Sequence, residues 1–254
     1  MSDADPAVLI VNWSTPDDLD RCLETLRIHE GDIETFVFQN FHSSDNTRKG
    51  INVAKYHRAY VWNHLENLGH GAGINRLAAK AKYEHDYLFV VNPDVMWTEP
   101  VVDRLVTFLQ EDPERCMVGP KQLNSQGKIT AGGIFGTLEK PEHRLFKADD
   151  PANQKARDIL QATVVAGSAL MISTDDFFEY GGLLEAHHYY SETWLCYHAA
   201  VHGRTNWYYG EASMIHEWHT SSPMGFEGTD GKFKADQALF RKMCDEHEPP
   251  IPHD

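Results

Sequence analysis

The stretch that most constrains the fold is a short apolar run that ends abruptly at a proline, LFVVNPDV at residues 88–95. Tyr87 to Val91 are apolar or aromatic residues that favour extended backbone, which predicts a buried β-strand. Pro93 has no N–H to donate to a sheet and disfavours helical backbone at Asn92, so the strand stops there. Asn92 and Asp94 therefore lie on a turn at the carboxyl end of a strand. An aspartate in that place either forms the turn or binds a ligand.

The first half of the chain alternates between strand-like and helix-like segments. Strands are predicted at residues 7–13, 34–40, 55–63 and 87–91, and helices after Thr15, at 73–85 and at 99–112. Either Ser14 or Thr15 can cap the first helix, because Pro16 suits its first position. This alternation predicts an α/β fold with a mainly parallel central sheet flanked by helices. Ligands bind such sheets at the carboxyl ends of the strands.

The second half is less regular. Short strands are predicted within residues 116–123, 128–136 and 162–173, and a helix begins at Thr174 and ends at a glycine pair. Residues 137–154 are polar and predict an exposed loop. The tail carries apolar residues at helical spacing, which predicts a helix that packs on the body and ends before Pro249: Phe233, Ala238, Leu239 and Met243.

Composition narrows the class of protein. Of 254 residues, 41% are hydrophobic and 24% charged, which is typical of a soluble globular protein. The net charge of −15 disfavours a nucleic-acid partner, although a local basic patch would be compatible with it. Four scattered cysteines indicate reduced thiols. The acidic N-terminus does not resemble a signal peptide, and no apolar run approaches the roughly 20 residues of a membrane span. We therefore expect a cytoplasmic protein.

Seven motifs in order carry a resemblance to a known family. They are AVLIVNWSTPDDLDRCLETL, QNFHSSDNT, ENLGHGAGINRLA, VVNPDV, GSALMIS, GGLLEAHHYYSETWLC and EASMIHEWHTS. Together they resemble family 2 inverting glycosyltransferases of the GT-A fold, in particular the rhamnosyltransferase-like branch, over roughly residues 7–222. The resemblance implies one Rossmann-like, nucleotide-sugar-binding domain over 1–254. Its nucleotide-binding half would span about 7–115, its acceptor-side half about 116–222 and a helical tail about 223–254.

The resemblance assigns a set of residues to the nucleotide-sugar donor. These are Asn12, Asn40, Asp45, Asn67, Gly69, Asn75 and Asn92. Asn40 stands where the family has an acidic residue that accepts hydrogen bonds from the base. Because an amide both donates and accepts, the preferred base is left open between a UDP-sugar and dTDP-rhamnose. Gly71 and Gly73 follow in the same loop. Glycine at these positions either permits close approach of the backbone to a ligand or allows positive φ angles that the loop needs.

The resemblance also implies a divalent cation. Asp94 would bind Mn²⁺ or Mg²⁺, both of which prefer oxygen ligands, and His216 would complete the site. His219 is the alternative histidine. The cation would neutralise the charge on the departing diphosphate.

Glu192 is the candidate catalytic base. The segment SETWLC aligns with the family's Glu-Asp-x-Asp-Leu so that Glu192 falls on the base and Trp194 on the second acid. Counting from Glu185 instead shifts Glu192 onto the family's glutamate and leaves no base. Inverting transfer requires a carboxylate near the anomeric carbon to take the acceptor's proton. The acceptor side would be bordered by His187, His188 and Trp194, where Tyr189 and Tyr190 could stack on a sugar and Trp207 is better explained as a core residue.

Competing functions remain at this point. The acceptor could be a glycan or a hydroxymethylated base in DNA. Three replacements of family acids, at Asn40, Asn92 and Trp194, would also suit a decayed protein that binds nucleotide-sugars or glycans without turnover. A metal hydrolase that used the histidines at 187, 188, 216 and 219 lacks any helical HxxxH pattern and is the weakest hypothesis.

Overall fold

A computed structural model describes residues 4–13, 15–40, 56, 58–137, 141–150, 154–185, 189–217 and 231–246, with the side chains of 141 and 231–233 left aside. The first half alternates strands and helices as the apolar runs predict. Its elements are β1 (Pro6–Trp13), α1 (Pro16–Glu30), β2 (Glu34–Asn40), β3 (Ala59–His64), α2 (His70–Ala81), β4 (Tyr87–Val91), β5 (Val95–Trp97) and α3 (Val102–Gln110).

The second half adds strands to the same sheet and three helices. Its elements are β6 (Arg115–Leu123), β7 (Ile129–Ala131), β8 (Ile134–Gly136), β9 (Pro141–His143), β10 (Ile159–Ala162), β11 (Ala169–Ser173), α4 (Thr174–Glu179), α5 (Ser191–Val201), β12 (Thr205–His216) and α6 (Gly231–Glu246). No helix within the described ranges is long and apolar enough to cross a membrane.

The central sheet has the strand order β10-β12-β6-β11-β4-β1-β2-β3, with β5 added to β12 and β7 to β6. Neighbours among β1, β2, β3 and β4 run parallel, as do β6 and β12. β11 runs antiparallel between β4 and β6. The predicted mainly parallel sheet is confirmed, and the carboxyl ends of β1, β2 and β4 share one edge, here called the carboxyl edge.

Both faces of the sheet are covered, which explains why its strands are continuous apolar runs. In β1, Leu9 faces a core that includes Ile74 of α2 and Leu195 of α5. Its neighbour Ile10 faces the opposite core, which includes Leu19 of α1 and others from α3. Every residue from 7 to 12 is buried. Because this central strand is packed on both faces, the position of its last residue at the carboxyl edge is fixed, and with it the position of the candidate site.

β12 is twelve residues long, and its partner on one side changes along its length. It pairs parallel with β6 from Thr205 to Ile215, with a register shift between Tyr209 and Ser213, and its first part also pairs antiparallel with β10. Beyond that irregularity it also pairs antiparallel with the short β5, which places His216 opposite Val95. Its length carries β12 to the carboxyl edge.

Element boundaries differ from the predictions in understandable ways. The third strand begins at Ala59 instead of residue 55, and α2 begins at His70 because Gly69, at φ +85°, turns the chain into the helix. Within the predicted loop 137–154, residues 141–143 instead pair with β8, and Asp150 forms an ion pair with Lys121 at 2.7 Å. These residues therefore contact β8 and β6 and do not form a fully exposed loop.

The predicted tail helix is present as α6, but a different residue anchors it. Phe240 is 2% exposed, stacks on Tyr190 at 5.2 Å and meets the edge of Trp194 at 6.3 Å. Leu239, which was expected to face the body, is 45% exposed. Asp236 also accepts a hydrogen bond from the backbone N–H of Tyr189 at 3.0 Å. α6 therefore packs against the start of α5.

Candidate active site

The turn after β4 places Asp94 at the carboxyl edge. Asn92 accepts a hydrogen bond from the backbone N–H of Val95 at 3.2 Å, which closes the turn, and its own N–H donates to the carbonyl of Ser168 at 2.9 Å. The carboxylate of Asp94 is 7% exposed. Cys22 lies beneath this turn, and burial, followed by the charge of Asp94, raises the pKa of its thiol well above the ordinary value. Cys22 is therefore an inert packing residue.

His216 reaches Asp94 because β12 pairs with β5. The register of that pairing sets His216 opposite Val95, the residue after Asp94. Its Nε2 lies 3.4 Å from Oδ1 of Asp94, and the histidine is 8% exposed. A carboxylate and an imidazole at this separation form a donor set that suits Mn²⁺ and many other divalent ions. The two residues predicted to bind metal are thus brought together at one place.

The ends of β1 and β2 supply two buried amides. Asn12, 4% exposed, accepts a hydrogen bond from the Thr15 hydroxyl at 2.6 Å. Asn40, 1% exposed, accepts one from the backbone N–H of Leu68 at 3.2 Å. The Nδ2 of Asn40 is buried and has no hydrogen-bond partner within the described part of the chain. Because such a donor is costly to leave unsatisfied, it suits a ligand or water at this edge.

The glycine-containing loop turns the chain from β3 into α2. Asn67 is exposed and accepts a hydrogen bond from the backbone N–H of Gly69 at 2.9 Å, which makes a local turn. A Cβ at Gly71 would lie 2.3 Å from the carbonyl oxygen of Leu184, and one at Gly73 would lie 2.6 Å from the Val11 side chain. Gly71 and Gly73 therefore permit close packing of α2 against the chain itself.

Asn75 links α2 to the segment that follows α4. Its Nδ2 donates to the carbonyl of Leu183 at 2.8 Å and to the carboxylate of Glu185 at 3.1 Å, and its Oδ1 accepts from the N–H of Leu183 at 2.9 Å. Both amide hydrogens are therefore used within the protein. Donor binding by Asn75 stays a prediction, and the structure gives this residue a bracing role of its own.

Glu192 lies in the first turn of α5, next to the segment Gly167–Ser168. Burial raises the pKa of its carboxyl, while hydrogen bonds from the backbone N–H groups of Glu192 itself and of Gly167 act in the opposite direction. A Cβ at Gly167 would lie only 2.8 Å from Cδ of Glu192. The next residue, Ser168, accepts the hydrogen bond from Asn92. This segment therefore contacts both the candidate base and the turn that carries Asp94.

Gln122 is a residue of this edge that the sequence gave no reason to select. Its side chain is fully buried, and its Oε1 accepts a hydrogen bond from the Ser168 hydroxyl at 2.7 Å. Ser168 is thus held from two sides, by Gln122 through its hydroxyl and by Asn92 through its carbonyl. The motif GSALMIS contributed to the family resemblance, and its contacts with Glu192 and Asn92 arise only in the folded chain.

Trp194 lies two residues after Glu192 on α5 and contacts Phe240 of α6. It is 8% exposed and stacks on Tyr197 at 5.6 Å, and its ring also meets His198 and Phe240. This packing gives Trp194 a structural place between α5 and α6, and an acceptor contact stays a prediction. The predicted site residues Asp45, His187 and His188, together with the alternative ligand His219, lie outside the described residues.

The arrangement defines a class of protein before any comparison is made. A doubly covered α/β sheet that presents a carboxylate–imidazole pair at its carboxyl edge has the GT-A architecture. Residues 7–148, more than half of the chain, match the sequence model of glycosyl transferase family 2. The chain belongs to that family. No protein of curated function matches it.

Solved structures share the fold at low sequence identity. GalNAc-T7, crystallised with UDP, GalNAc and Mn²⁺, matches 84% of this chain with 14% identity and a TM-score of 0.66. The mannosyltransferase PcManGT from Pyrobaculum calidifontis, in complex with GDP-Man and Mn²⁺, matches 99% with 10% identity and a TM-score of 0.63. TarS from S. aureus matches 84% with 12% identity and a TM-score of 0.60. The chain spans 44% of GalNAc-T7, 36% of TarS and 67% of PcManGT.

Proposed function

We propose that this protein is a metal-dependent, inverting glycosyltransferase that moves a sugar from a nucleotide-diphosphate donor to an acceptor hydroxyl, most simply that of a glycan. The observation that carries the proposal is the pairing of Asp94 with His216 at the carboxyl edge. These residues are far apart in sequence, and the fold brings their Oδ1 and Nε2 atoms to 3.4 Å from each other.

Asp94 and His216 would hold the divalent cation. Their donor atoms fit Mn²⁺ or Mg²⁺, and the similar structures of GalNAc-T7 and PcManGT each contain Mn²⁺. When bound, such an ion supplies neutralisation of the charge that develops on the departing diphosphate. The nucleotide is UDP in the first of those structures and GDP-Man in the second, so the preferred base here is a matter for measurement. The Nδ2 of Asn40, which has no hydrogen-bond partner among the described residues, supports a hydrogen bond to the donor nucleotide.

Glu192 would take the proton of the acceptor hydroxyl. A hydroxyl with a pKa far above 7 must lose its proton as it attacks the anomeric carbon, and a carboxylate with a raised pKa is a stronger base for that step. Attack from the face opposite the diphosphate inverts the configuration. Gly167 orients the base through its N–H, and the same short segment fixes the turn that carries Asp94.

The test combines turnover with binding. UDP-, GDP- and dTDP-sugars are screened for nucleotide release with and without Mn²⁺, and nucleotide binding is measured by calorimetry on the same samples. We expect slow metal-dependent release by the wild type and a loss of about 10²–10⁴-fold in Glu192→Gln, the usual contribution of a general base. Asp94→Asn and His216→Gln should weaken metal-dependent donor binding.

Matched variants separate the site from general effects. Asp103→Asn on α3 and Glu179→Gln on α4 change exposed carboxylates and should behave as wild type. Tight donor binding without turnover, unchanged by Glu192→Gln, would instead identify a nucleotide-sugar-binding protein. Binding that is indifferent to Mn²⁺ and to Asp94→Asn would remove the proposed cation site.

A further inference from the structure

A second group of potential metal ligands lies at the opposite edge of the sheet, where the parallel strands begin. Glu34 is the first residue of β2, and Glu84 and His85 lie between α2 and β4. One ligand atom from each of these three residues lies within 4.8 Å of the others. The five-residue strand β4 separates this group from Asp94, which amounts to roughly 17 Å at 3.3 Å per residue.

His85 is the feature that distinguishes this group from an ordinary acidic patch. Its side chain is 0% exposed, yet neither ring nitrogen makes a hydrogen bond within the described part of the chain. Buried polar atoms in folded proteins nearly always have a partner. The ring nitrogens instead face carboxylate oxygens, since Nε2 lies 3.4 Å from Oε2 of Glu34 and Nδ1 lies 3.4 Å from Oδ2 of Asp5.

The distance from Nε2 of His85 to Oε2 of Glu34 agrees with two ligands bound to one ion. Two ligands bound at about 2.1 Å by a tetrahedral zinc ion lie about 3.4 Å apart, which is the separation of Nε2 of His85 from Glu34. A metal-bound histidine ordinarily donates its other N–H to a carboxylate, which orients the ring. Asp5 occupies that position at Nδ1. Imidazole with two carboxylates is a donor set that zinc and its neighbours accept.

The charge balance also leaves room for a cation. Three carboxylates, those of Asp5, Glu34 and Glu84, surround His85, and Arg58 donates to Oε2 of Glu34 at 2.7 Å. A carboxylate oxygen has two lone pairs, so Arg58 can hold Glu34 while the other lone pair binds metal.

We propose that Glu34, Glu84 and His85 bind a structural divalent ion of the zinc type, with Asp5 orienting the histidine. The ion would join the start of β2 to the connection between α2 and β4, and so stabilise the folded state. This site is separate from the pair formed by Asp94 and His216, and the inference does not depend on the proposed transfer reaction.

The test removes the first site and measures metal at the second. Co²⁺ absorption and Zn²⁺ calorimetry are recorded on the full chain that carries Asp94→Asn with His216→Gln. We expect one bound ion in this background and a rise in its Tm with Zn²⁺. Adding Glu84→Gln, at an exposed position that tolerates change, should weaken binding at least tenfold, the loss seen even for outer-shell partners, and abolish the rise in Tm.

Two further variants complete the design. Glu24→Gln, an exposed glutamate on α1, should leave binding unchanged. His85→Gln should abolish binding, and circular dichroism reports whether it folds; if it does not, Glu84→Gln decides. Failure of the background variant to bind either metal saturably, or equal binding with and without Glu84→Gln, would overturn the inference whatever the enzyme's activity.

Discussion

Replacing Gly167 with alanine should reduce catalysis far more than it affects folding. The added Cβ would lie 2.8 Å from Cδ of Glu192 and 3.0 Å from its Cγ and Oε2. Carbon atoms in contact normally lie about 3.5–4.0 Å apart, so the carboxylate must move by roughly 1 Å. Misplacement of a reacting group by about 1 Å can lower a rate on the order of 10²-fold. We expect that loss in kcat for Gly167→Ala.

Stability should change little, for two reasons. The contact involves the far end of a flexible side chain, which can rotate away, and the backbone of Gly167 is not in the left-handed region that disfavours alanine. Alanine also restricts the unfolded chain, which stabilises by about 0.4–1 kcal/mol where the native conformation permits it. Urea unfolding of the variant should therefore give a free energy within about 1 kcal/mol of wild type.

The decisive comparison is a double variant. Aspartate is one methylene shorter than glutamate, so Glu192→Asp in the Gly167→Ala background should recover part of the lost rate. A double-mutant cycle on kcat measures this coupling. Retention of full kcat by Gly167→Ala, with nucleotide binding also unchanged, would refute the assignment of Glu192 as the base held by Gly167.

Three further outcomes follow from the same structure. Burial raises the pKa of Glu192, and only its ionised form accepts a proton. The rate of nucleotide release should therefore fall on acidification, with a pKa above the ordinary glutamate value of about 4.3. A pH–rate profile checks this, and the profile of Glu192→Gln should lack that fall. Phe240→Ala should destabilise by about 3 kcal/mol in urea unfolding, because a buried ring packed on Trp194 is lost; an exposed site such as Leu239→Ala should change stability by less than about 1 kcal/mol. Gly73→Ala should destabilise by about 1–3 kcal/mol, because its Cβ would lie 2.6 Å from Val11; an unchanged free energy of unfolding would show that the helix can shift instead.

Local sequence was sufficient to predict the half of the site that lies on strand ends. The run Tyr87–Val91 is apolar throughout because β4 is packed on both faces, and Pro93 stops it where the structure has a turn. Asn40 is the last residue of β2, and Asn12 is the last but one of β1. Parallel strands bring these ends to one edge without any information beyond the order of strands and helices.

The partnership of Asp94 with His216 could be predicted only from the family resemblance. It depends on the pairing of β5 with β12, two segments more than a hundred residues apart. A one-residue shift would turn His216 to the other face of its strand. No pattern within either segment specifies that register.

The packing of α6 shows a second limit of prediction from the sequence. Apolar spacing predicted a helix that packs on the body, but selected Leu239 where Phe240 makes the contact. The side chains of adjacent helix residues point in directions about 100° apart. In a weakly amphipathic segment the sequence therefore does not determine which of two neighbouring residues is buried. The partner surface, formed by Tyr190 and Trp194, decided between them. Trp194 was expected to border the acceptor, and its involvement in this contact explains its burial instead.

Glu192 and Gly167 illustrate how a variation in one residue depends on space supplied by another. The family resemblance implies an aspartate as base, and the proposed alignment puts Glu192, which is one methylene longer, in its place. Cγ of Glu192 would lie 3.0 Å from a Cβ at position 167, so the longer side chain fits only because glycine has none. The N–H of the same glycine then donates to the carboxylate. A glutamate at position 192 therefore requires a small residue at position 167. The two positions should be altered together when the acceptor geometry is redesigned.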